Sequence, residues 1–348
     1  SYLRPDLLAD SGTADINDWG NTFTATVNTV EANATGTGLH PVTRVGKFTN
    51  LQELLALSSA FTDVVTRTQV ASGRTGLTLP GLVGGRRKIV TITPSQEVKD
   101  FITDLAHRAQ NIDPRRMDLD NILKISNDGR NVSLDPRLAN LAKPETSRAK
   151  TVADEIMRIH HQTADNVYVS PDTKAPMERT GGLQIVFCDR GTPKQGQSFS
   201  MYSAIRDELV EQGMDPAAIR FIHDARTAED RLRLFDECNR GAVAVLIGST
   251  EKMGTGTNVQ TRAVALHHVD VPWRPADLEQ REGRVIRQGN QNAAVEILNY
   301  VTEGSFDTFM WQKVEAKAMF IEQIKRNEID ATEVDDIGGE FTASAAET

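Results

Sequence analysis

From residue 183 onward, short runs of apolar, β-branched residues alternate with longer stretches whose apolar positions recur every three or four residues. That alternation leaves few folds open, because successive parallel strands need a crossover helix to return the chain to the same end of a sheet. It predicts strands at Leu183–Cys188, Ile219–His223, Val243–Gly248, Ala263–Val269 and Val295–Tyr300. Helices are predicted between them at Phe199–Gln212, Ala228–Arg240 and Pro275–Arg287. Gly213 stops the first, Thr227 caps the second, and Pro275 opens the third. A last helix, Ser305–Arg326, carries Phe306, Phe309, Met310, Val314, Ala318 and Ile321 as one apolar stripe suited to bracing a sheet. The expected class is α/β, a parallel sheet with helices on both faces.

The first part of the chain is less regular. It predicts a helix around Leu51–Thr66, a Gly-rich basic loop at Gly81–Lys88, a strand at Lys88–Ile92 and a helix at Ser95–Ala109 begun by Ser95. Asn127-Asp128-Gly129-Arg130 reads as a turn. With 348 residues there is room for two domains of roughly 150 residues each. No apolar run approaches the ~18 residues of a membrane-spanning helix. A formal charge of −9 argues superficially against nucleic acid. Seven of those negative charges, however, fall in 327–348, where no basic residue stands, leaving −2 elsewhere. The body is near neutral, and 327–348 read as a disordered, solvating tail. Cys188 and Cys238 are too few for a disulfide framework or a zinc knuckle and are expected to be small buried thiols. The chain opens at Ser1 with no signal leader and reads as a processed or excised piece.

Two segments carry chemistry. Ser249–Gln260 follows a buried strand with hydroxyls and closely spaced glycines, where backbone N–H groups can approach a phosphate; a plain turn has the same look. Trp273–Asn290 opens a helix in which Gln280, Arg284 and Arg287 fall at i, i+4 and i+7, on one face if the helix continues. Arg281 points elsewhere, toward a surface bridge with Asp277 worth a few tenths of a kcal/mol. Two guanidiniums and an amide on one face suit a phosphoryl group, although a solvated charged helix has the same pattern.

These segments resemble known motifs. Gln280–Arg287 resembles motif VI of superfamily 2 helicases, Ser249–Gln260 resembles motif V, and Trp273–Gln280 resembles the Swi/Snf-type lead-in between them. Ile185–Asp189 is similar to motif IV, and Phe306–Lys317 to the brace helix. The resemblance covers about residues 180–326 and is nearest to the Swi/Snf-like helicase region of large phage and plasmid proteins, often fused to an adenine-specific DNA methyltransferase. More weakly, Tyr2–Pro5, Trp19–Phe23 and Ile89–Gln96 are similar to the end of the first helicase lobe.

The resemblance implies a RecA-like C-terminal lobe over 146–304, a brace at 305–326, and a remnant of lobe one with a helical linker over 1–145. It implies a cytoplasmic, DNA-dependent ATPase that translocates on duplex DNA. Arg284 and Arg287 would be its arginine fingers and Gln280 its γ-phosphate sensor. Gly254, Gly256, Asn258 and Arg281 would face ATP. Ser249, Thr250, Lys252 and His223 would face DNA. No G-x-x-x-x-G-K-[ST] occurs, and Asp154-Glu155 lies in an amphipathic helical pattern instead of at a strand end. ATP and Mg²⁺ would therefore be held mainly by a first lobe, upstream or on another chain, and the chain alone is expected to be inactive. The alternative is a non-catalytic DNA- or protein-binding module. His267-His268 are expected to split between core and surface, and His160-His161 to lie at the surface. Arg86, Arg87 and Lys88 read equally as a phosphate grip or a solvated loop.

Overall fold

The computed structural model describes residues 4–32, 39–62, 78–112, 120–194, 196, 199–253, 258–326 and 334–335. The chain forms two compact units: Ser1–Gln69, Thr103–Ile125 and Gln312–Thr348 make one, and Val70–Ile102 with Ser126–Trp311 make the other. Residue 145, where a boundary is expected, falls inside the second of these units.

In the first unit, α1 (Pro5–Asp10) and α2 (Ile16–Phe23) lead into an antiparallel ladder of β1 (Thr24–Ala32) and β2 (Leu39–Phe48). Asp15 caps α2 by accepting the Asn17 amide at 2.8 Å. Helix α3 (Leu51–Ser59) is shorter than expected. Its last hydroxyls, on Ser58 and Ser59, turn back onto the carbonyls of Leu54 and Ala56 and compete with continued helix. Residues 63–66 of that prediction lie outside the described residues. Val334–Asp335 pairs with β2, so this part of the expected disordered tail is a strand.

The second unit is built on a seven-stranded sheet among the described residues. Its strands are β3 (Gly81–Leu82), β4 (Lys88–Ile92), β5 (Leu183–Phe187), β6 (Ile219–Phe221), β7 (Val245–Gly248), β8 (Ala263–His268) and β9 (Ala294–Thr302). They run parallel in the order β3-β9-β8-β5-β7-β6, with β4 also on β9. Strand β4, expected to close a first lobe, instead belongs to this sheet, Lys88 opposite Leu298 and Ile92 opposite Thr302. The helices from residue 96 are α4 (Gln96–Gln110), α5 (Ile122–Leu134), α6 (Arg148–Gln162), α7 (Met201–Glu211), α8 (Ala228–Arg240), α9 (Thr250–Met253), α10 (Pro275–Glu282) and α11 (Phe306–Arg326). No described helix is long and apolar enough to cross a membrane.

Both faces of the sheet are buried, which is why its strands read as continuous apolar runs. Val186, Val245, Ile247, Ala265 and Leu298 pack on one side with Ile156 of α6 and Tyr202 and Leu209 of α7. Ile185, Phe187, Leu246, Leu266 and Ile297 pack on the other with Leu234 and Phe235 of α8. Neighbours in sequence thus divide between two cores, the period of two that a strand imposes. Thr227 caps α8 in a capping box with Asp230, as expected. Cys188 and Cys238 are buried.

Three local expectations are corrected. Asn127–Arg130 is helical, inside α5, because Val132 and Leu134 are drawn into the interior and Ser133 bonds the Gly129 carbonyl at 2.7 Å. His267 and His268 are both buried, since β8 lies between β9 and β5 under helices on both faces. Strand β6 ends at Phe221, and His223 sits in the following 3₁₀ turn, Ile222–Asp224.

Candidate functional site

In a parallel sheet the strands deliver their following loops to one edge, and ligand crevices form where the connections diverge. Here β6 and β7 lie on one side of β5 while β8 and β9 lie on the other. Asp189 follows β5, Ser249 and Thr250 follow β7, and Asp270 follows β8. All three ends converge on Arg281.

Arg281 is fully buried. Its Nε donates to Thr250 Oγ1 at 2.7 Å, Nη1 to the Asp270 carbonyl at 3.0 Å, and Nη2 to Asp189 Oδ2 at 2.7 Å and Asp270 Oδ1 at 3.1 Å. His268 Nδ1 lies 3.4 Å from Nη1. Asp270 also accepts the amides of Asp189 and Arg190 at 2.7 and 3.0 Å. Burial raises the Asp270 pKa against the pull of Arg281. Burial raises that of Asp189 too, but there the Arg281 charge and the Thr250 bonds win and hold it low. The five guanidinium donors are committed to protein. This corrects one expectation for Arg281: it makes no surface bridge to Asp277, its partners being Thr250, Asp189 and Asp270.

Helix α10 ends at Glu282, so Gln280, Arg284 and Arg287 do not share one helical face. The cause is packing. Arg281 and Glu282 are buried on the last turn, and Val285 must then enter the core among Leu266 and Ile297. The chain descends through turns closed by Arg284 N–H to the Arg281 carbonyl and Val285 N–H to the Glu282 carbonyl, each 3.0 Å. Asn290 Nδ2 holds the Val285 carbonyl at 2.8 Å.

A cavity of about 480 Å³ beside this network is lined by Ser249, Thr250, Lys252, His223 and Gln280, together with Asp189, Thr192, Glu251 and Asp277. The structure thus gathers the four residues expected to face DNA, and it adds Gln280. Thr250 is a special case. Its amide and hydroxyl donate to Asp189 at 2.6 and 2.9 Å while its oxygen accepts from Arg281, so it acts as a pin between loops. Ser249 Oγ accepts the Lys252 amide at 3.3 Å. His223 lies edge-on to Tyr202, and burial followed by the Lys252 charge lowers its pKa, keeping it neutral at pH 7.

Arg284 and Arg287 are both half-buried and do not line that cavity. Burial, then the charge of Arg287, lowers the Arg284 pKa, so the two cations stand close enough to repel. Asn258 is exposed, its carbonyl accepting Asn239 Nδ2 at 2.8 Å. Gly254 and Gly256 lie outside the described residues. The basic loop is largely neutralised: Arg87 pairs with buried Glu282 at 2.6 Å, and Lys88 with Glu155 at 2.7 Å. Asp154 and Glu155 lie in α6, bonded to Lys150 and Arg158. Asp189 and Asp270 belong to this network and were missed as site residues. The available signal was an acid directly after each of two buried runs, Phe187-Cys188-Asp189 and Val269-Asp270, which a buried arginine would require.

Residues 176–289 match the family model described as the helicase conserved C-terminal domain. Over 83 residues, 24% of this chain, the sequence is 34% identical to the Defense against restriction protein B of Escherichia phage P1. Over 138 residues, 37% of this chain, it is 30% identical to the DNA repair protein RAD5 of Candida albicans. The matched stretches cover 4% and 12% of those relatives, so the chain spans a small part of their length.

Proposed function

We propose that this chain, whose residues 176–289 match the helicase conserved C-terminal domain, supplies the second lobe of a superfamily 2, Swi/Snf-like DNA-dependent ATPase. In this reading it contributes arginine fingers to one side of a nucleotide and part of a DNA track to the other. The observation that carries the reading is the division of labour around Arg281. Ser249, Lys252, His223 and Gln280 share a polar cavity, while Arg284 and Arg287 form a separate half-buried pair of cations.

The residues fit a nucleotide's terminal phosphate in type: two half-buried guanidiniums, each a planar fork of N–H donors. When bound, ATP with Mg²⁺ supplies the phosphoanhydride whose hydrolysis drives movement, the metal being held mainly by a first lobe. Arg284 and Arg287 offset the charge that grows on the transferred group, an effect worth roughly 10³–10⁵ in rate for an arginine finger. Gln280, on the last turn of α10, lines the cavity and stands four residues before Arg284 in the chain. Arg281 positions both by tying α10 to the ends of β5, β7 and β8.

The test is ATP turnover, with and without duplex DNA, of the chain joined to a first helicase lobe. The comparison is wild type against Arg287→Ala, with the chain alone as control. DNA-stimulated turnover that falls to background in the variant and in the chain alone supports the motor. An inert joined protein whose chain still binds DNA makes this a binding module.

A further inference from the structure

We propose that Arg130 and Arg190 form a phosphate-binding clamp at the C-terminal end of β5. The ligand is a phosphate group carried either by a nucleic-acid backbone or by a free phosphoanion. Arg130 comes from α5, outside the stretch that matches the helicase domain.

The two arginines, with Asn131, Thr192, Lys194 and Trp273, line a cavity of about 530 Å³. Arg190 Nη1 donates to Asn131 Oδ1 at 2.8 Å and Nη2 to Asn127 Oδ1 at 2.6 Å. Its Nε is buried with no hydrogen-bond partner among the described residues. Arg130 Nη2 donates to the Val271 carbonyl at 3.0 Å, and its guanidinium lies 5.1 Å from the centre of the Trp273 ring. Arg148, Arg158 and Arg281, also partly or fully buried in this unit, each hold a carboxylate, whereas the buried Arg262 is spent on the carbonyls of Arg179 and Gly181 and lines no part of this cavity. Arg130 and Arg190 hold only neutral oxygens among the described residues. Amide and carbonyl oxygens fix the orientation of each fork without cancelling its charge, which is what preorganised anion recognition requires.

The electrostatics agree. Burial, then the charge of Arg130, lowers the Arg190 pKa to about 10, and burial also lowers that of Arg130. An anion between them relieves both effects. Lys194, exposed and without a partner among the described residues, adds a third cation at the rim. Four acids oppose them. Asp189 and Asp270 are already committed to Arg281 and to Thr250 or backbone amides, Asp307 is held by Arg148, and Asp277 stands on the wall. The planar fork of arginine matches two oxygens of a tetrahedral phosphate, so two forks can hold one group from two sides.

The test uses the full chain and two probes, a short fluorescent DNA duplex and sodium pyrophosphate. Arg130→Gln, Arg190→Gln and Lys194→Gln are compared with wild type. A DNA phosphate held by the clamp makes each substitution flatten the log Kd against log salt plot by roughly one unit of slope. A free phosphoanion leaves the slope alone but raises the wild-type melting temperature, a shift lost in the variants. If neither slope nor shift changes in variants with a wild-type circular dichroism spectrum, the clamp does not exist. Lys194→Gln, at an exposed side chain, keeps the test open should either arginine variant fail to fold. The DNA arm rests on the proposed function and the pyrophosphate arm does not, so a chain that binds no DNA overturns that reading without deciding this one.

Discussion

Replacing Arg281 with Met removes the cation whose guanidinium bonds the carboxylates of both Asp189 and Asp270. The losses are unequal. Asp189 is about a third exposed, at 36%, and can rehydrate, whereas Asp270 is 6% exposed at its side chain and keeps only the amides of Asp189 and Arg190. Breaking a buried pair by removing one partner costs about 3–5 kcal/mol, because a charge is left uncompensated. The two amides that still solvate Asp270 place the expected loss toward the lower end, about 3 kcal/mol. Urea unfolding followed by circular dichroism at pH 7 measures it. The reasoning also fixes a sign. With Arg281 gone, only the Arg130 charge and the Asp189 amide still oppose the burial that already raises the Asp270 pKa. A carboxyl with a raised pKa binds its proton more tightly when folded, so the variant's deficit shrinks as pH falls and grows again as pH rises through that pKa. Adding Asp270→Asn to Arg281→Met removes the orphaned charge and is expected to recover more than 1 kcal/mol, since the side-chain oxygen still accepts both amides. A deficit below about 1 kcal/mol, with no recovery in the double variant, would refute an uncompensated buried charge as the cause.

Three further outcomes follow from named contacts. Thr250→Val keeps the shape of the side chain but leaves Arg281 Nε and Asp189 without its hydroxyl; it is expected to cost about 1–3 kcal/mol in the same unfolding assay. Gly241→Ala combines a left-handed φ of 80° with a new Cβ 2.1 Å from Arg262 Nη1, and an expected loss of at least ~2 kcal/mol would lower the melting temperature clearly. Burial, with smaller contributions from neighbouring cations, lowers His267 to about 3 and His268 to about 4 from an ordinary 6.5, although Glu282 partly offsets the shift at His268. Both are neutral when folded, so their stabilisation is present above pH 6.5 and is lost as pH falls from there toward about 4, with a slope of up to about 1.4 kcal/mol per pH unit for each histidine. Thermal melts across that window should show the decline, and His267→Gln should flatten it.

Much of the second unit is legible without coordinates. Period-two burial put Ile185 and Val186 into different cores, and the Thr227 signal marks the start of a helix that does begin at Ala228. The run from Gln280 to Arg287 marks the site by residue type. Local pattern could not decide where that segment stops being helical or which of its charges turns inward. Residues 280, 284 and 287 share a face only while the helix lasts, and the helix ends because Val285 is needed in the core. Arg281 has the chain neighbours of a surface charge, and only the meeting of Asp189 and Asp270, 81 residues apart, makes it the buried centre. Likewise Asn127–Arg130 has the composition of a turn and becomes helix because Val132 and Leu134 are drawn into the interior. Chain periodicity reports which residues must leave water, a property of each segment alone. Tertiary structure decides which charges meet where the segments end, because pairing a buried charge depends on residues distant in sequence.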